Sequence, residues 1–552
     1  MQGGDVNGRA LLACAAALQL VACHNGAGAI GDACKADGDC NSRDCKTEAA
    51  AGYPGGMCTD VCSTTACSTG NLCTQLFGES LCAKACTQDS DCRSGYNCCA
   101  AFGNVCLPPA MCNTTTPACL RPVVSSSLPS TQVFPFGTHT VGDPINFNVP
   151  AGTGSITIVH QARSAGLNVT YQGQVIDNSA VPGVLNFPDG GEAYNDNTQS
   201  DPASPDGGVE PGTHYAYYGG GTPSTGAFTI PNTTTSVNAG IPSGNWKFTV
   251  NDYAYECVSN SGCTAGASSA NTYDVSVVLR PLPQGSNLDI NFYIVANATN
   301  RTGQPLTAAS AATDPDVQRM VSTFHSLYST VGITVRTVNF YDTSAADRAR
   351  FGTNVNADKV GPCDELNQML LLSAAHAGNT MNLFFVQSIR SNSTQLGGTI
   401  VGIDGTIPGP SSYSGTVHSG AAVSLADLFH GVCGASIDIS NCGADVVAYI
   451  SAHETGHFLG LFHTTELAGD YFDPIADTAK CPCMSCATTA DLPKCPKPDA
   501  TGPTLTADRC KGSPSNCNGA DNLMFWQLYG GISQGKLSAQ QAAVIRLNPL
   551  MQ

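Results

Sequence analysis

Residues 445–460 read DVVAYISAHETGHFLG, and the chain continues LFH to residue 463. The pattern predicts a helix over Asp445–Gly460. On such a helix His453 and His457 stand one above the other on a single face, where two imidazoles meet one tetrahedral ion. Val446 and Ile450 extend that face toward a core. Glu454 is turned about 100° from His453, so its carboxylate lies beside the ion and can accept a proton from an attacking water. Gly460 lets the chain leave the helix sharply, and His463 swings back as a third ligand. Three imidazoles with one open position make the catalytic kind of zinc site, whereas a structural site is closed by four protein ligands. The competing reading is a pair of helix histidines satisfied by core hydrogen bonds. In a chain with 11 histidines, this spacing of five fixed residues arises by chance on the order of once in 10⁵ such chains.

The surrounding sequence has an α/β texture. Residues 289–296, 333–340 and 382–389 read as strands. Residues 314–328 read as an amphipathic helix with Asp314 as N-cap before Pro315, and residues 365–377 as another helix. That order implies a twisted, partly parallel sheet backed by helices.

With these residues in hand, the stretch 286–552 resembles the metzincin metallopeptidases, which carry the extended histidine motif and a downstream methionine turn. The resemblance places that turn at Asp521–Trp526 and makes Met524 an apolar support beneath the zinc. HTTE at 463–466, GDYFDPIADT at 469–478 and the cysteines between motif and turn are most similar to the pappalysin family. Many metzincins have a tyrosine two residues after the methionine that donates to the oxyanion; this chain has Trp526 there, with Tyr529 nearby. Asp470, Asp473 and Asp477 read either as a calcium site or as a solvated acidic loop. Cys481, Cys483, Cys486, Cys495, Cys510 and Cys517 are expected in disulfides, as are Cys433 and Cys442 before the helix; a redox-active or second-metal role is the alternative for the former group.

Upstream the composition changes twice. Residues 120–285 carry short alternating runs (155–160, 167–171, 246–250, 273–279) separated by Pro/Gly turns, the pattern of an antiparallel β-sandwich or jelly roll. Cys257 and Cys263 are close enough to staple a loop there, and Asp201, Asp206 and Glu210 read as a solvated loop or a calcium site. Residues 24–119 hold fifteen cysteines and few large aliphatics, so cross-links must supply the stability. ACKADGDC at 33–40 is echoed by ACTQDSDC at 85–92, which suggests two disulfide-knotted units. Fifteen cysteines there and eleven later ones are both odd counts. Either a bridge crosses between the regions, or one thiolate is left to cap the zinc in a latent form.

At the N-terminus, residues 10–22 form an apolar stretch after Arg9, the length of a signal h-region. Leu20-Val21-Ala22-Cys23 resembles a bacterial lipobox, which implies removal of residues 1–22 and lipid on Cys23. No apolar run reaches the roughly 18 residues of a spanning helix, so membrane contact is expected only through that lipid. The net charge of −18 and 28 cysteines exclude a nucleic-acid binder and a cytosolic enzyme. The whole reads as multidomain: a disulfide-rich module, an all-β sandwich and an α/β metallopeptidase domain with zinc, and possible calcium, as cofactors. The expected activity is internal cleavage of a protein or peptide substrate by an exported protein, either lodged in the cell envelope or secreted. The substrate strand is expected against an edge at Val417–Leu425. The alternative is a surface adhesin with a silent metallo-domain.

Overall fold

A computed structural model describes residues 28–46, 53–60, 62, 67–76, 79–99, 103–108, 124–125, 131–162, 168–171, 174–177, 179–195, 225–253, 255–258, 262–265, 272–357, 365–390, 400–495, 504–512 and 516–552. The lipobox-like run with Cys23, the acidic run 201–210, Cys112, Cys119 and Cys363 lie outside them. The chain divides into two compact units, Met1–Leu76 with Ser80–Asn113, and Phe77–Glu79 with Thr114–Gln552.

In the first unit the cysteines pair locally. Three successive sets of four are each joined first to third and second to fourth: Cys34–Cys45 with Cys40–Cys58, Cys62–Cys73 with Cys67–Cys82, and Cys86–Cys98 with Cys92–Cys106. Among the described residues the expectation of two knotted units is corrected to three such sets. The echoed aspartates close equivalent turns in the outer two. Asp39 accepts from the backbone N–H of Lys35 and Ala36, Asp91 from Thr87 and Gln88. Asp37 takes the N–H of Cys45 and Asp89 that of Cys98. The middle set lacks this aspartate pair, so only its cysteines betray the repeat.

The second unit begins with two four-stranded antiparallel sheets. Its strands are β1 (Gln132–Thr140), β2 (Ile145–Val149), β3 (Thr153–Ala162), β4 (Ser179–Asn186), β5 (Glu192–Asn195), β6 (Thr225–Ile230), β7 (Gly244–Tyr253) and β8 (Thr272–Pro281), with a short helix α1 (Thr234–Ala239) after β6. The sheet orders are β6-β3-β8-β1 and β5-β4-β7-β2. Alternate residues from both sheets, among them Phe147, Ile158, Phe228, Trp246 and Val277, enclose one core. This is the sandwich the alternation predicts. In a separate ribbon the register sets Cys257 opposite Cys263.

The mixed sheet follows: β9 (Asn287–Ile294), helix α2 (Pro315–Ser329), β10 (Thr334–Asp342), α3 (Glu365–Leu370), β11 (Met381–Val386), β12 (Gly402–Asp404), β13 (Ala421–Ser424), α4 (Gly443–Phe458) and α5 (Ala539–Leu547). Asp314 caps α2 by accepting from the N–H of Asp316 and Val317. The helix expected through Ala377 tightens to 3₁₀ after Leu370. There the Ser373 hydroxyl bonds the Leu370 carbonyl and accepts the N–H of Gly415.

Sheet order is β10-β9-β11-β13-β12, parallel except for β12. Ile290, Phe292, Leu383 and Phe385 face α2 and α4, while Tyr293, Phe384 and Val386 face α3. Burial on both faces explains why these strands read as continuous apolar runs. The sheet order corrects one expectation. The strand within Val417–Leu425 is β13, hydrogen-bonded on both sides, so it has no free edge. Among the described residues that edge belongs to β12.

The sandwich packs against the mixed-sheet region. Thr234 of α1 donates its N–H to Pro474 and accepts from Ala476 through its hydroxyl. Arg280 donates to the Met551 carbonyl, and His418 donates its ring N–H to the Thr225 carbonyl at the start of β6. Among the described residues no helix is long and apolar enough to cross a membrane. Every cysteine whose side chain is described is disulfide-bonded, which assigns the chain to an oxidising compartment.

Candidate metal centre

The N-terminus of α4 is fixed before its histidines are reached. Cys433–Cys442 closes the preceding loop, the pairing read from sequence. Asp445, buried in the first turn, accepts a two-pronged hydrogen bond from Arg319 at 2.7 and 2.9 Å, and the hydroxyl of Thr323. Burial pushes its pKa up, but these bonds and the N–H of Asp438 hold it below the usual carboxylate range. At the other end Gly460 has φ +104°. The N–H of Leu461 returns to Gly456 and that of Gly460 to His457, a Schellman close that only a left-handed residue permits.

Beyond this turn His463 folds back onto the helix. Its Nε2 lies 3.1 Å from Nε2 of His453 and 3.1 Å from Nε2 of His457. Each Nδ1–H is committed outward, from His453 to the Leu523 carbonyl, from His457 to the Leu461 carbonyl and from His463 to Oε1 of Glu466, at 2.7, 2.7 and 2.9 Å. No hydrogen is therefore left to lie among the three Nε2 atoms. Burial, and then the neighbouring rings, push the pKa of His453 down to about 3 and that of His457 well below its ordinary value, so both rings are neutral. Three bare lone pairs facing one point repel one another unless a cation stands between them. Tetrahedral bonds of about 2.0–2.1 Å require nitrogens roughly 3.3 Å apart, close to what is seen. The donor set suits zinc and other late first-row metals. Among the described residues three further groupings have metal-like proximity, all cysteines of the first unit, and those sulfurs are spent in disulfides.

Glu454 is 6% exposed. Burial raises its pKa to about 8, opposed by the N–H of Asp404. Asp404, the last residue of β12, is itself raised by burial and by Glu454 beside it. A side chain at Gly402 would collide with Glu454 and come within 2.7 Å of Ile450, so the bare backbone there makes room for the acid. Met524 is fully buried in the core that includes α4, and a Cβ on Gly456 would lie 2.5 Å from its sulfur. The Asn522 side chain holds the Met524 N–H, and the Met524 carbonyl takes the N–H of Thr464.

The remaining residues singled out in the sequence go elsewhere. The Trp526 indole donates to the Leu505 carbonyl at 2.8 Å, and Tyr529 is exposed at the surface. Asp473 pairs with Lys480 and Asp477 accepts the N–H of Gln540. With Asp470 they do not gather into a set of ligands around one point. Cys483 and Cys486 bond Cys495 and Cys517, not each other. Sequence reasoning assigned no role to Glu466, Gly402, Asp404 or Gly456. Of these, only Glu466 carried a signal, a carboxylate three residues after a ligand histidine.

No protein-family model matches the chain, and no curated protein matches it.

Proposed function

We propose that this chain is an exported zinc-dependent metalloendopeptidase of metzincin type, similar to the pappalysins. The observation that carries the reading is the convergence of three imidazole nitrogens whose opposite N–H groups all point away. His453, His457 and His463 would hold the ion. The methionine packed against Gly456 and the mixed sheet beside α4 support the metzincin likeness.

Bound there, zinc supplies Lewis acidity, which brings water's pKa toward 7 and polarises a peptide carbonyl. Glu454 does the proton work: it takes a proton from the attacking water and hands it to the departing amine. A dication held there would draw its carboxyl toward the ionised form, the same direction in which the Asp404 backbone acts. An extended substrate segment pairs with the free edge of β12, which brings its backbone past Glu454. Oxyanion stabilisation does not come from the Trp526 indole, whose single N–H is committed. Cys23 carries the lipid, so the protein sits in the cell envelope and meets protein substrates outside the cell.

The test uses the purified full-length chain. Metal analysis finds about one zinc per chain, a peptide library is cut internally, and a chelator abolishes cleavage that zinc restores. Wild-type protein that keeps zinc yet cleaves no unfolded protein would favour the surface-adhesin reading instead.

A further inference from the structure

Two of the three imidazoles are oriented by backbone carbonyls. Leu523 belongs to the turn carrying Met524, and Leu461 to the turn that ends α4. His463 differs. It lies in coil beyond the helix, its side chain is 23% exposed, and its ring is oriented by a side chain, Oε1 of Glu466. Resting on the zinc reading, we propose that Glu466 is a positioning residue for the metal: it fixes the tautomer and plane of His463 so that Nε2 faces the ion.

Glu466 can do this because its own backbone is pinned. Its N–H bonds the Tyr471 carbonyl and its carbonyl takes the N–H of Gly469, which closes a tight turn. Gly469 (φ +67°) leaves no room for a side chain, since a Cβ would meet Leu505 and come within 2.9 Å of the Cys481 carbonyl. The Gly469 carbonyl in turn accepts the N–H of Cys483, and Thr465 accepts that of Cys481. Both cysteines belong to the knot Cys481–Cys510, Cys483–Cys495 and Cys486–Cys517. The crowded cysteines between motif and turn thus act on the metal from a distance, by holding the turn that holds the ring. A carboxylate behind a ligand imidazole also makes that ligand more basic, and loss of such a partner costs about 10–100-fold in metal affinity.

The experiment is metal titration of full-length wild type, Glu466→Ala and Glu466→Gln against a competing chelator, with Co²⁺ absorption as a second readout and apo-protein thermal unfolding as a control. Glu466→Ala is expected to bind zinc about 10–100-fold more weakly and to change the Co²⁺ band shape and intensity, while apo unfolding stays near wild type. Glu466→Gln keeps an acceptor for the ring N–H, so it recovers the Co²⁺ spectrum and most of the affinity. If wild type binds zinc and Glu466→Ala binds it within twofold with an unchanged Co²⁺ spectrum, the positioning role is overturned and the proposed function stands. Wild type that takes up neither metal removes both.

Discussion

Lowering the pH probes the seam between sandwich and mixed sheet at one imidazole. His418 is 1% exposed and donates its ring N–H to the Thr225 carbonyl. Burial pushes its pKa down to about 4. The Thr225 carbonyl opposes the shift, and the nearby His160 adds to it. The unfolded chain takes up this proton near pH 6.5, the folded chain only near 4. His418 therefore contributes no pH dependence above about 6.5, and stability is lost as the pH falls from there toward 4. The full window of about 2.5 units corresponds to about 3 kcal/mol, of which about 2 kcal/mol is gone at pH 5. His418→Asn keeps a donor near the same place and does not titrate. Urea unfolding of both proteins at pH 7.5 and pH 5 gives a double difference in which the histidines not coupled to His418 cancel. Wild type is expected to lose about 2 kcal/mol more than the variant between the two pH values. Equal losses, within about 0.5 kcal/mol, would refute a neutral, buried His418 at this seam.

Other outcomes follow from the same geometry. On the proposed zinc-peptidase reading, Glu454→Gln binds zinc as wild type does by metal analysis and loses at least about 10²-fold in kcat, since proton transfer by a placed group contributes about 10²–10⁴. Gly456→Ala forces a methyl against the Met524 sulfur and costs about 1–3 kcal/mol in denaturant unfolding. Trp526→Phe removes a hydrogen bond worth about 1 kcal/mol of stability but leaves kcat/KM on a peptide substrate within about threefold, because the indole N–H serves Leu505 rather than the reaction.

What could be read in advance was local. Two histidines four apart on a helix share a face whatever surrounds them, and Gly460 with His463 completes the return within one turn. The same holds for Asp314 capping α2 and for Cys433 beside Cys442. The misjudged points are contacts between distant segments. Whether Ala421–Ser424 is an edge depends on where Gly402–Asp404 docks, and no periodicity within either strand encodes that. The requirement for glycine at 402 and 456 comes from Glu454 and Met524, about 50 and 70 residues away. In the N-terminal unit the paired aspartates advertised the outer repeats, while the middle one has the cysteine pattern without that aspartate pair.

The pinned turn at 466–471 also sets an order of events in the life of the chain. Freshly made in a reducing interior, Cys481, Cys483 and Cys486 are still separate thiols, and nothing cross-links the segment on which Gly469 leans. Pairing of those sulfurs would fix the turn beneath the third imidazole, and on the proposed zinc reading oxidation would then come before metal loading.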